Sequence, residues 1–476
     1  MSELPTTIAA AGRALRDGSV TSAALTEELL RRIHATQDTI GAFITVTDEA
    51  AISAARKADA ELAAGLDRGP LHGIPMGIKD IIATEDAPTT ANSRVMDPSW
   101  GKRGDATVVK RLRAAGIVSL GKLGLNEYAI GWPDPDTGFR IPRNPWDLRR
   151  TPGGSSSGTG AALAGGLILG GLGTDTGGSI RGPAAFCGVS GIKQTFGLVS
   201  KEGCVPLGYS LDHIGPMART VEDCALMLQV MAGYDPLDAC SVDVPVPNMT
   251  AGLGGALAGV TIGVPRQYFF EISELDTEVK ASVLAAVDTL AGLGATVVDV
   301  DIPHAAEARL AQRVTMTTEA YTYHEPDLQT RPELYGKYTR RTIQLGAYYT
   351  GADYVQAQRV RSLVKAECAA LFTGTAGTPR VDAVVTPTML TVAPIMEGYD
   401  PDSMFVSPGF TPIWNLTGLP SLSIPSGFST AGMPIGMQIV GPAYGEPMVF
   451  KVGDAYQRVT DWHVRQAPAF GGGVTA

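Results

Sequence analysis

Two glycine-rich runs, TPGGSSSGTGAALAGG (151–166) and GLGTDTGGSIRGP (171–183), carry serines where neither a strand nor an apolar core has use for them. In the first, Ser155, Ser156 and Ser157 stand between glycines. In the second, Ser179 follows Gly177 and Gly178, directly behind the polar run Thr174-Asp175-Thr176. Glycines ahead of a serine let the backbone turn sharply and aim several N–H groups at one point. That is the geometry of an oxyanion hole, with no bulky side chain in the way of a substrate carbonyl. The plainer alternative is a pair of turns flanking a helix. A serine nucleophile also needs a base, because an alcohol that keeps its proton is a weak nucleophile. The six histidines (34, 72, 213, 304, 324 and 463) are scattered without a partner pattern. The other candidate is Lys79, which ends the apolar, Gly/Pro-punctuated run LHGIPMGIKD (71–80). Desolvation there would lower its pKa and raise its neutral, basic fraction; the alternative is a surface lysine paired with Asp80.

Three competing motifs carry less. Gly154-Ser155-Ser156-Ser157-Gly158 fits G-x-S-x-G, which would make Ser156 the nucleophile, but that motif needs a strand immediately upstream and NPWDLRRTP stands there instead. Ser190-Gly191-Ile192-Lys193 spells S-x-x-K without K-T-G or S-D-N partners, and reads as a packed turn. His324-Glu325 begins an H-E-x-x-H zinc motif, but position 328 is Leu, so no metal is expected; no dinucleotide fingerprint implies a cofactor either.

The elements that must hold these residues alternate. Leu25, Leu29, Leu30 and Ile33 mark one face of a helix, Phe43–Val46 a strand, and 49–64 an Ala-rich helix that Gly65 can end. Then come strand 73–78, helix 107–115, strand 117–120, strand 260–264, helix 277–293 and strand 296–300. This alternation predicts an α/β fold with a largely buried sheet. The helical segment 1–65 is expected to pack on a main domain of 66–476, with 249–258 as a surface loop between two halves. The 57 glycines and 32 prolines of 476 residues stay below the roughly 25–30% that marks low complexity. A formal net charge of −10 implies no basic surface for nucleic acid or anionic membrane. Five cysteines without a C-x-x-C pair, and no apolar leader, suggest a cytoplasmic protein with reduced thiols.

Taken together, GIPMGIKD, GGSSSGTGAALAGG and GTDTGGSIRGPAAFCGVSGIKQTFGLVS resemble, in this order, the catalytic-lysine, Gly/Ser-rich and nucleophile segments of the amidase signature family. Ser179 follows Ser155 by 24 residues, the family's own spacing. The likeness is close from about 71 to 216 and continues in SLDHIGPMARTVEDC (210–224). It returns at 382–456 through DAVVTPT, NLTGLPSLSIPSG and GMPIGMQIVG, whereas 235–380 is far less diagnostic. The resemblance implies Ser179 as nucleophile, Lys79 as base, and Ser155 as the relay serine, which in that family follows a cis peptide bond, here Gly154–Ser155. It implies an oxyanion hole from the N–H groups of Thr176, Gly177, Gly178 and Ser179. Ser157 departs from the family's usual Gly, and Thr159 from its commoner Ser.

The same resemblance implies a single large α/β domain with a mixed, mostly buried sheet covered by helices on both faces, and a hydrolase of C–N bonds in amides; the chain is similar to bacterial amidases of the urethanase, carbamate-cleaving type. The family also contains the glutaminase subunit of tRNA-dependent amidotransferases, the alternative reading. Seven of the fourteen tyrosines lie between 321 and 354, either as helix packing or as an aromatic wall for a bulky acyl group. Trp132, Tyr321 and Trp414 are the expected substrate contacts, with Phe410 beside them. The partner expected is a small amide or carbamate with an aryl or apolar group, without nucleic acid or membrane, for a monomer or homodimer.

Overall fold

A computed structural model describes residues 4–100, 104–375, 377–403 and 407–468. Its centre is one eleven-stranded sheet. The strands are β1 (Phe43–Val46), β2 (Pro75–Lys79), β3 (Val118–Leu123), β4 (Gly170–Asp175), β5 (Ser190–Lys193), β6 (His213–Ala218), β7 (Thr261–Pro265), β8 (Thr296–Val300), β9 (Ala383–Pro387), β10 (Ser421–Phe428) and β11 (Pro434–Val440). They lie side by side in the order β1-β3-β2-β4-β6-β5-β10-β11-β9-β7-β8. β2 runs parallel to both β3 and β4, β4 antiparallel to β6, and the β9–β7–β8 end is parallel again. The sheet is therefore mixed, as the family resemblance implies. β2, β3, β4, β5, β6, β9 and β11 are buried at every position, which is why they read as apolar or glycine runs rather than as a half-solvated alternation.

The N-terminal helices Ile8–Arg16 and Ser22–Ile40 are capped by Thr7 and Thr21, whose hydroxyls accept from the N–H groups of Ala10 and Ala24. Their inward residues Ile8, Leu25 and Ile33 are fully buried and belong to the same core as Ile78 of β2 and Leu172 of β4. Residues 249–258 form turns, and the one sheet crosses the point where two halves were expected to meet. Ser190–Lys193, expected as a turn, is strand β5, because both of its sides are covered and its N–H groups are taken up by β6 and β10. No helix among the described residues is long and apolar enough to cross a membrane.

The short helix Ser157–Ala164 sits with every residue buried. Its first turn presses on the loop that follows β3, where the Gly158 N–H donates to the Gly124 carbonyl at 2.8 Å. A Cβ on Gly158 would run into the Ala42 carbonyl and lie 2.5 Å from the Gly124 nitrogen. Backbone on both sides cannot yield, so Gly158→Ala is expected to lower stability by about 1–3 kcal/mol. A urea midpoint equal to that of the parent chain would show that the helix is not seated this tightly.

Candidate active site

Lys79 is the last residue of β2 and is fully buried. Its Nζ lies 2.8 Å from Ser155 Oγ, 3.0 Å from Ser156 Oγ and 2.7 Å from Thr174 Oγ1. Among the described residues no carboxylate touches it. Asp80, the surface partner that the alternative reading required, is itself fully buried and pairs with Lys122 at 3.2 Å. Burial holds the Lys79 amine down at about 7, only partly opposed by the more distant Cys204, Asp175 and Asp212.

The hydroxyls around the amine have different duties. Ser156 Oγ donates to the Thr174 carbonyl at 3.2 Å and accepts from the Thr174 N–H at 3.2 Å. With its proton committed, Ser156 can only accept from Lys79. A neutral amine has two N–H donors and one lone pair. Ser156 and Thr174 take the donors, which leaves the lone pair for the Ser155 proton. The same bonds rule against the G-x-S-x-G reading: Ser156 is fully buried and irregular chain precedes it.

The Gly154–Ser155 peptide is cis. The Ser155 carbonyl accepts from the Asn126 N–H, and the Ser156 N–H donates to the Ser179 carbonyl, both at 3.2 Å. The first bond ties the Ser155 loop to the chain after β3 and the second to the Ser179 turn. Ser155 and Ser179 line one cavity together with Thr176, Gly177 and Gly178. Ser179 is partly exposed there while Ser155 is buried, an order suited to an outer nucleophile and an inner relay.

The turn 176–179 is held from behind. Asp175 is fully buried and meets Arg181 through both carboxylate oxygens at 3.0 Å. Burial would raise its pKa, but the Arg181 guanidinium and Asn415 outweigh that and hold the carboxyl well below the usual range. Asp175 also accepts the Gly178 N–H at 2.8 Å and the Ile180 N–H at 3.1 Å. One expectation is thereby corrected: the Gly178 N–H is spent inside the protein, because Asp175 reaches it first. The N–H groups of Thr176, Gly177 and Ser179 make no such bond among the described residues. Gly178 has φ +124°, the left-handed backbone that the two glycines ahead of Ser179 were expected to permit.

The cavity measures about 490 Å³. Of the expected substrate contacts, Trp132 lines it, stacked on Tyr399 with ring centroids 4.4 Å apart, and Phe410 lines it as well. Tyr321 and Trp414 do not line it. Trp414 is fully buried in the core against Phe269, and the Tyr321 hydroxyl reaches Glu325 at 3.4 Å on its own helix. Of the seven clustered tyrosines only Tyr338 lines the cavity; Tyr335 is buried against His324, whereas Tyr323 and Tyr348 are exposed. Met389, Leu390, Glu274, Arg309, Gln312 and Arg313 complete much of the wall and were not anticipated. Most of them fall in the stretch that carries no motif. Ser157 Oγ is buried without a hydrogen-bond partner among the described residues, and Thr159 Oγ1 donates to the Leu172 carbonyl at 3.0 Å. Neither reaches Lys79. Among the described residues no three His, Cys, Asp or Glu side chains group as metal ligands.

The chain belongs to the amidase family, whose model, Amidase, matches residues 24–450. It is 44% identical to a glutamyl-tRNA(Gln) amidotransferase subunit from Chloroflexus aggregans over 97% of each chain. Its structure is similar to that of the native peptide amidase from Stenotrophomonas maltophilia, with a TM-score of 0.83, 30% identity and 98% and 99% of the two chains covered. It is also similar to a structure described as a vestigial protein complex that reveals the origins of an s-triazine catabolic enzyme, with a TM-score of 0.86, 32% identity and 95% and 98% covered. The expected likeness to urethanases finds no support among these. The expectation of a small molecule as sole partner, with no nucleic acid, is overturned by relatives that are one subunit of an enzyme named for a tRNA. Net charge is a poor guide there because it sums the whole chain and is blind to how charge is spread over its surface.

The lowered amine predicts the pH profile. Below about 7 Lys79 is protonated and has no lone pair for Ser155. The kcat/KM of any amide substrate should therefore fall about tenfold per pH unit below 7 and level off above it. An unburied lysine would be only about 0.3% neutral at pH 8. A profile still climbing between pH 8 and 10 would exclude Lys79 as the base.

Proposed function

We propose that this chain hydrolyses the side-chain amide of glutamine through an acyl-enzyme on Ser179 and acts as the glutaminase subunit of an amidotransferase assembly. The observation that carries the chemistry is the Lys79–Ser155 bond of 2.8 Å in a site where the amine has only hydroxyl neighbours. Neutral Lys79 takes the Ser155 proton as Ser155 takes that of Ser179, and Ser179 Oγ attacks the carbonyl. The oxyanion is held by the turn's inward N–H groups. When the tetrahedral adduct collapses, the proton returns through Ser155 to the leaving nitrogen and ammonia departs. Water then adds to the acyl-enzyme by the same relay, releasing glutamate and restoring Ser179.

The choice of substrate is supported by 44% identity, along nearly the whole length, to a subunit of a glutamyl-tRNA(Gln) amidotransferase. Arg309, Arg313, Arg341 and Glu274 on the cavity wall give it charges of both signs, suited to a zwitterion. A second reading, cleavage of aryl or apolar amides and carbamates, is favoured by the breadth of the same cavity and by its Trp132, Phe186, Met389, Leu390 and Phe410 surfaces. A carbamate would present the same carbonyl to Ser179 and yield an amine, an alcohol and carbon dioxide.

A substrate panel decides between the two. With the purified chain, kcat/KM for glutamine is expected to exceed that for a nitroanilide and a phenyl carbamate, with ammonia as the measured product. A preference of a hundredfold or more for either aryl substrate would establish the second reading instead. In both cases Ser179→Ala should lower turnover at least about 10⁴-fold and abolish labelling by a serine-directed phosphonate. A phosphonate adduct mapped to another residue would overturn the shared chemistry.

A further inference from the structure

The inward N–H groups of the 176–179 turn need fixed directions, and in a trans peptide the C=O and the following N–H point opposite ways. Whatever holds each carbonyl therefore aims the next N–H. The Asp175 carbonyl accepts from Asn415 Nδ2 at 3.0 Å, and the Gly178 carbonyl from the Gly182 N–H at 2.7 Å. Those two anchors come from segments that carry the family resemblance. The two carbonyls between them are held by side chains outside the recognised motifs, Gln312 in the undiagnostic stretch 235–380 and Thr411 just ahead of NLTGLPSLSIPSG.

Gln312 lies on the helix Ala305–Thr330, is 1% exposed, and its Nε2 donates to the Thr176 carbonyl at 2.9 Å. Thr411 precedes the helix Pro412–Thr417, and its Oγ1 donates to the Gly177 carbonyl at 2.7 Å. With the Thr176 carbonyl tied to Gln312, the Gly177 N–H is turned away from that helix. With the Gly177 carbonyl tied to Thr411, the Gly178 N–H is turned to Asp175, so the 177–178 peptide is gripped at both ends. Thr411 also fits against the turn so closely that a Cβ on Gly178 would collide with its side chain.

We propose that Gln312 and Thr411 are positioning residues of the oxyanion hole: they hold the carbonyls of residues 176 and 177 so that the Gly177 N–H faces the developing oxyanion. The inference rests on Ser179 as the nucleophile. It assigns both side chains an effect on the transition state rather than on ground-state binding, although both border the cavity.

The test uses Gln312→Met, Thr411→Val and Thr411→Ser in the full chain, with Ser179→Ala as reference. Met and Val keep the bulk and lose the donor, whereas Ser keeps the donor. Loss of one oxyanion-hole donor costs about 10²–10³ in rate. Loosening one should cost roughly tenfold to a hundredfold in kcat for Gln312→Met and Thr411→Val, with KM within about twofold and the midpoint near pH 7 unmoved. Thr411→Ser should restore most of the loss. Affinity for a trifluoromethyl ketone, which forms an oxyanion on the serine, should fall in parallel with kcat, while affinity for the carboxylate product should not. A change in KM with kcat intact would overturn the proposal in favour of direct substrate contact. Equal weakening of ketone and product binding would overturn it in favour of general loosening. If Ser179→Ala kept its activity, the nucleophile reading would fall first, a result separate from either of these.

Discussion

The site depends on one interaction, the desolvation of the Lys79 amine among hydroxyl groups. An ammonium with no counter-charge is costly to bury, so the group gives up its proton instead. Three lysines in this part of the fold are fully buried, and comparison separates their roles. Lys122 has the Asp80 carboxylate at 3.2 Å and two oxygen acceptors, the Ile82 carbonyl and Thr89 Oγ1. Lys193 donates to the carbonyls of Leu419 and Gln194. Lys79 alone has only hydroxyls, and one of them, Ser155, borders the cavity. Burial is common to all three; the neighbours decide which amine is available for proton transfer.

That interaction sets demands on the fold. The amine must be dry, so β2 lies between β3 and β4 inside the sheet. The three hydroxyls must converge, so the 155–157 chain must come down onto β4, which is possible because β4 begins Gly-Gly-Leu-Gly before reaching Thr174 and Asp175. The oxyanion turn must then start where β4 ends. Asp175 supplies the join: its carboxylate ties Gly178, Ile180 and Arg181 into one unit, and Arg181 carries the tie across to Asn415 and Gln438. A buried ion pair of this kind is weak evidence for stability on its own. Here it fixes the direction in which a backbone turn faces.

The candidate site was legible in the sequence because it is local. Lys79, Ser155 and Ser179 sit in short runs whose glycines and serines have no other evident use, and the strand–helix alternation foretold an α/β fold with a buried sheet. The cavity wall was not legible, because an aromatic residue has the same appearance in a core and in a pocket. Trp414 and Tyr321 looked like wall and do not line the cavity, whereas Trp132, with an equally short clue, does. Gln312 carried no signal at all: it is one polar residue on a long helix far along the chain, and only the fold brings it to the Thr176 carbonyl. Gly178 illustrates a subtler limit. The glycine was rightly read as a backbone requirement, but which way its N–H points depends on Asp175, three residues earlier and fully buried.

This division follows the architecture. Lys79, Ser155 and the proposed nucleophile Ser179 come from β2, the 153–157 loop and the turn after β4, all within 75–181; Lys79 bonds Ser155 at 2.8 Å, and the Ser156 N–H ties the loop to the turn at 3.2 Å. The far wall comes from the helix 305–330, the helix 337–344 and the loops 388–401 and 407–412. A wall built from other segments can change its side chains without moving Lys79, since no bond to the amine originates there. Similar chains bear the names of a peptide amidase and of an amidotransferase subunit, which is what a fixed proton relay facing an exchangeable wall permits. The two parts meet at Gln312 and Thr411, which border the cavity and also grip the oxyanion turn. At those two positions a change made to suit a substrate acts on the transition state as well.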